Sequence, residues 1–95
     1  MGTREAHTAQ LKTQLDVWNA ELDGWQAKAQ EATAGVRLEY DRQIAALRTQ
    51  RDHATGKLTA LQASGDDAWE VMRTGVDDAW SSLRTAFDRA KATLD

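Results

Sequence analysis

A chain of 95 residues with net charge −3 makes one domain at most, and its acidic balance argues against nucleic acid, whose binders carry a basic stripe. The absence of cysteine excludes disulfides and thiolate metal sites, and the absence of proline favours unbroken helix. No apolar run approaches the ~20 residues that a bilayer span needs, and the polar start (Gly2, Thr3, Arg4, Glu5, Ala6, His7) does not read as a signal peptide, so a soluble cytoplasmic protein is expected.

Residues 1–5 carry no apolar stripe residue and are expected to fray. From about Ala6 a helical pattern begins. Leu11, Leu15, Trp18, Leu22, Trp25, Ala29, Ala32 and Val36 alternate steps of four and three, which is a heptad seam. Val36, Tyr40 and Ile44 then step by four and four before Leu47, a stutter that relaxes a left-handed supercoil. Heptads resume with Leu47, Ala54, Leu58 and Leu61. Arg51 falls on that seam. It reads as a side chain whose stem lies on the core, or else as a polar residue that specifies register.

Two places could turn the chain, Gly35 and the Ala63-Ser64-Gly65 stretch. Ser64 followed by Asp67 resembles a capping box, with Asp66 adding a second acid where a helix N-terminus favours one. Nothing after Gly35 makes a cap, and a lone interior glycine costs only about 1 kcal/mol relative to alanine. The expectation is one long helix over residues 6–62, a turn at 63–65 and a second helix over 65–93. At about 1.5 Å per residue these reach ~85 and ~45 Å.

The second helix is built on a repeat. GDDAWEVMRTG (residues 65–75) returns as VDDAWSSLRTA (76–86), and a decayed third copy follows at 87–95. Eleven residues make three turns at about 3.67 residues each, so Trp69, Met72, Val76, Trp80, Leu83, Phe87 and Leu94 form one stripe. Folded back as a hairpin, this helix puts Trp69 near Leu58, Trp80 near Leu47 and Phe87 near Tyr40. It leaves Leu11, Leu15, Trp18, Leu22 and Trp25 without cover in the same chain. A stripe of that size is not tolerated wet. Two chains can therefore meet antiparallel, each N-terminal half filling the other's groove, with Leu11, Leu15, Trp18, Leu22 and Trp25 in the contact. The alternative is a bend at Gly35 and a monomeric three-helix bundle. In either case the fold is all-α, and Val36, Tyr40, Ile44, Leu47, Leu58 and Leu61 face the core.

The polar residues offer little chemistry. Asp67 and Asp78 lie about 16 Å apart along a helix, too far for shared ligation, and no EF-hand loop is present. His7 and His53 have no second ligand at helical spacing. Ser64, Ser81 and Ser82 have no histidine nearby, and the six glycines make no phosphate loop. No enzyme activity, cofactor, metal or small-molecule substrate is expected, and the partner is a second copy of the chain.

The tandem units of residues 65–95 resemble those of exchangeable apolipoproteins and desiccation-linked helical proteins, where such a stripe lies on lipid. That resemblance implies, as the alternative function, reversible binding to a lipid surface through Trp69, Trp80 and Phe87. The acidic flanks speak against it. Taken whole, the chain resembles small bacterial helical coiled-coil proteins of unassigned activity, some stress-linked. Glu39-Tyr40-Asp41-Arg42-Gln43-Ile44 with Leu47-Arg48, and Ala63-Ser64-Gly65-Asp66-Asp67-Ala68-Trp69 with its echo, carry this likeness. It implies a helical hairpin and a stress role, and it assigns no functional residues.

Overall fold

A computed structural model describes residues 3–94, and 96% of these residues are helical. The described residues form three helices: α1 (Thr3–Glu31), α2 (Ala34–Ala63) and α3 (Asp66–Leu94). They run up, down and up in a rod of 51 × 19 × 19 Å. The expectation of one long and one short helix is corrected. The N-terminal pattern is cut into two near-equal arms.

The break falls at Ala32 and Thr33, and Gly35 is the second residue of α2. Thr33 takes φ −64° and ψ 162°, an extended backbone that a β-branched residue adopts readily. Its carbonyl accepts from the Arg37 N–H at 2.8 Å and starts α2. The cap-type residue therefore precedes Gly35 rather than following it. Breaking the helix forfeits a few backbone hydrogen bonds, each worth about 0.5–1.5 kcal/mol net. In return α1 buries its stripe within the same chain, and fully burying such side chains gives about 1.5–3 kcal/mol each. The gain exceeds the loss, and no second chain has to be immobilised.

The second turn lies where the sequence places it, at Ser64 and Gly65. Ser64 does not cap the following helix, however. Its hydroxyl donates back to the Leu61 carbonyl at 2.6 Å, closing α2. Gly65 opens α3, its carbonyl accepting from the N–H groups of Ala68 and Trp69. Asp66 and Asp67 occupy the first turn of α3 and Lys91 the last, as the helix dipole favours.

One continuous core joins all three helices. Leu11, Trp18, Leu22, Trp25 and Ala29 enter it from α1, Ile44, Leu47, Ala54, Leu58 and Leu61 from α2, and Val76, Trp80, Leu83, Phe87 and Ala90 from α3. Leu15, Tyr40, Trp69, Met72 and Leu94 pack half-buried at its margin. Val36, expected in the core, is 50% exposed. The break at Ala32 and Thr33 places it in the first turn of α2, outside that margin. The pairing of α2 with α3 is also shifted. Tyr40 reaches Leu94, donating its hydroxyl to that carbonyl at 2.9 Å, whereas Phe87 stacks on Trp18 and Trp25 of α1.

Residues 3–5, expected to fray, belong to α1; Met1 and Gly2 lie outside the described residues.

Candidate functional site

The stripe expected to bind a second chain is the inner face of α1. Trp18, Leu22 and Trp25 are each 3% exposed or less, and Leu11 is 9% exposed. What covers them is an aromatic seam between the parallel helices α1 and α3. The Trp18 ring lies 6.3 Å from Trp80 and 5.3 Å from Phe87, and Trp25 lies 5.8 Å from Phe87. The first contact is tilted and the two with Phe87 are stacked, arrangements that aromatic quadrupoles favour when the rings are offset. Indole side chains are long, so they fill this seam while the α1 and α3 backbones stay farther apart than either is from α2. One hydrogen bond fixes the register: the Trp80 Nε1–H donates to the Leu11 carbonyl at 3.2 Å in the buried seam. The unsatisfied stripe that pointed to a partner chain is therefore satisfied at home.

Polar ties repeat the pattern outside the core. Arg4 donates to the Asp66 carboxylate at 2.8 Å and to the Ser64 carbonyl at 3.0 Å, and its guanidinium lies 4.1 Å from the Trp69 ring centre. His7 Nε2 meets Asp77 Oδ1 at 2.9 Å, and Arg73 approaches the other Asp77 oxygen at 3.6 Å. Arg51 donates to Asn19 across α1 and α2 at 3.0 Å. Arg48 bonds Gln26 across the same pair, and Lys91 faces Glu21 between α3 and α1. Arg51 is half-buried and ties α2 to α1 through Asn19.

Sequence reasoning missed Arg4, His7 and Thr8. The signal was present: Arg4 and Thr8 continue the four–three seam upstream of Leu11, and Thr8 is buried. Being polar, they do not read as stripe residues. Asp77 gave no sign of its cross-helix partner, because no local spacing links residues so far apart in sequence.

What can this arrangement do chemically? A groove of about 500 Å³ lies beside Arg4, bounded by Thr8, Lys12, Gln62, Ser64 and Trp69. Its most functional-looking group, the Arg4 guanidinium, is already engaged with a carboxylate, a carbonyl and a ring. The His7–Asp77 pair has a base and a carboxylate, but Thr8, the adjacent hydroxyl, donates to the Arg4 carbonyl at 2.9 Å within its own helix. Among the described residues, no three His, Asp or Glu side chains gather as a metal site. The paired acids separate: Asp66 and Asp77 tie α3 to α1, while Asp67 and Asp78 are exposed. No described helix is long and apolar enough to cross a membrane.

No family model, curated protein or solved structure matches the chain.

The geometry separates the Arg4 contacts by environment. Asp66 is 95% exposed, and an ion pair in that setting adds little. The ring and carbonyl contacts of Arg4 are better shielded. Arg4→Ala is expected to cost about 1 kcal/mol, chiefly from the Trp69 face and the Ser64 carbonyl. Asp66→Asn should cost less, only the few tenths of a kcal/mol that an exposed acid gains at a helix N-terminus. Equal losses for both variants would show that the ion pair matters and the ring does not.

Proposed function

We propose that this chain is a non-enzymatic helical structural or interaction protein that self-associates. One observation carries the structural, non-enzymatic part of the reading: its distinctive side chains are spent on holding helix to helix within the chain. Arg4, His7, Tyr40, Arg51 and Trp80 each engage a different helix from their own. A cytoplasmic, stress-linked setting belongs to the same proposal and rests on the sequence resemblance alone. The test is molar mass by light scattering from ~1 μM to ~1 mM, a range that brackets the effective concentrations of linked modules. A mass that rises with concentration supports self-association. A monomer throughout overturns it.

A second reading is favoured by α3 alone. Val76, Trp80, Leu83, Phe87 and Ala90 form an unbroken buried stripe over its repeats, with charged residues opposite. Released from the bundle, that face would suit a lipid surface. Adding anionic vesicles to the same measurement separates the two. Lipid binding requires the Trp18–Phe87 seam to open, so tryptophan emission would shift on mixing. No shift removes this reading.

A further inference from the structure

The two connections of the bundle are built very differently, and the difference locates a hinge. The Ser64–Gly65 turn is held from several sides. Ser64 bonds Leu61 through both its N–H and its hydroxyl, Arg4 of α1 donates to the Ser64 carbonyl, and the Gly65 carbonyl starts α3. Among the described residues, the Ala32–Thr33 turn shows backbone bonds alone, Ala32 N–H to Ala29 at 3.2 Å and Arg37 N–H to Thr33 at 2.8 Å. The Thr33 side chain makes no cap bond. Every residue from Thr33 to Leu38 is exposed, with Val36 at 50% and Leu38 at 55%. None of these six residues belongs to the core.

The sequence on either side of it is continuous in phase. Ala29, Ala32, Val36 and Tyr40 keep the spacing of three and four, so straightening residues 32 and 33 would extend a single seam from α1 into α2. Short hinges of this kind invite exchange of an element between identical chains. We propose that two copies of this chain exchange α1. Residues 32 and 33 become helical, α1 and α2 form one rod, and each α1 packs on the α2–α3 pair of the other copy.

The occupant of that groove is fixed by the contacts α1 makes now. The Trp18 and Trp25 seam, Trp80 to Leu11, His7 to Asp77, Asn19 to Arg51 and Glu21 to Lys91 can all form unchanged between two chains. Exchange adds two things. Straightening restores helical hydrogen bonds across the break. The two rods cross antiparallel near residue 33, where Ala32, Gly35 and Val36 let the backbones come close and cover the exposed Val36. Opposing this, α1 sits at high local concentration beside its own groove, so the closed monomer prevails when the protein is dilute.

This inference rests on the self-association reading, and the test keeps the two apart. Ala34 is the first residue of α2, the helical position that best accepts proline. Thr33 before it already has the extended backbone that proline requires of its neighbour. Ala34→Pro therefore fits the closed bundle. In a straight rod, proline removes the bond to Gln30 and clashes with that carbonyl. Wild type refolded from urea at ~1 mM should contain dimer, and Ala34→Pro should lower the association constant by more than about a hundredfold. Co-refolding labelled and unlabelled chains, followed by carbodiimide coupling, should link Glu21 of one chain to Lys91 of the other. A wild-type dimer that Ala34→Pro leaves intact, or one in which Glu21 and Lys91 couple only within a chain, overturns the exchange and spares self-association. A wild type that stays monomeric at every concentration overturns both.

Discussion

Trp80→Ala is expected to destabilise the protein by about 3–5 kcal/mol, the range for truncating a buried aromatic. Trp80 is 4% exposed and stands in the α1–α3 seam against Trp18. Two losses combine at this position. The ring vacates a volume that neither helix can collapse to fill, because the indoles of Trp18 and Trp25 hold the backbones apart. The Nε1–H bond to the Leu11 carbonyl also disappears. Trp80→Phe separates these terms: it keeps an aromatic ring and deletes the donor, so its cost from the hydrogen bond is about 0.5–1.5 kcal/mol. Since a small domain has only about 5–15 kcal/mol in total, Trp80→Ala should shift the urea midpoint by a large fraction of its value. A loss below about 1 kcal/mol would mean that the α1–α3 seam is not core.

The second large effect comes from replacing Trp18 and Trp25 together by lysine. Each is 3% exposed, and the two rings sandwich Phe87. A buried ammonium without a partner costs several kcal/mol, and the variant also forfeits two aromatic burials. The sum exceeds the stability of a small domain. The architecture decides what is lost. In a long-and-short hairpin, α2 and α3 would keep their contacts and about half of the helicity would survive with a cooperative melt. In the three-helix bundle, losing α1 exposes Val76, Trp80 and Phe87 along α3 as well. The expected result is therefore loss of most of the far-UV helical signal and of the cooperative transition. Retention of half the signal with a sharp melt would restore the hairpin.

Helical class, the turn at Ser64 and Gly65, and most of the core were legible in the sequence. The apolar steps of three and four are a local signal, fixed by the geometry of a single helix. They identified Ile44, Leu47, Leu58, Leu61, Val76, Trp80, Leu83 and Phe87, all of them buried. They also identified Leu11, Trp18, Leu22 and Trp25 as a face that must be covered, without saying by what. The periodicity is identical whether the cover comes from the same chain or from another.

The tertiary structure decided what covers that face, and the reason is a comparison of energies that no local pattern contains. A straight helix through Ala32 and Thr33 is the better local conformation. The bent chain is the better global one, because about 10 kcal/mol of stripe burial outweighs a few hydrogen bonds at the break. The same cause hid Arg4 and His7, whose partners at Asp66 and Asp77 come within reach only after α1 and α3 lie side by side. It misplaced Val36 as well, since a residue in a continuous seam and one in the first turn after a break have the same sequence neighbours. Periodicity determined which faces are apolar. Only the closing of the chain on itself determined which faces meet.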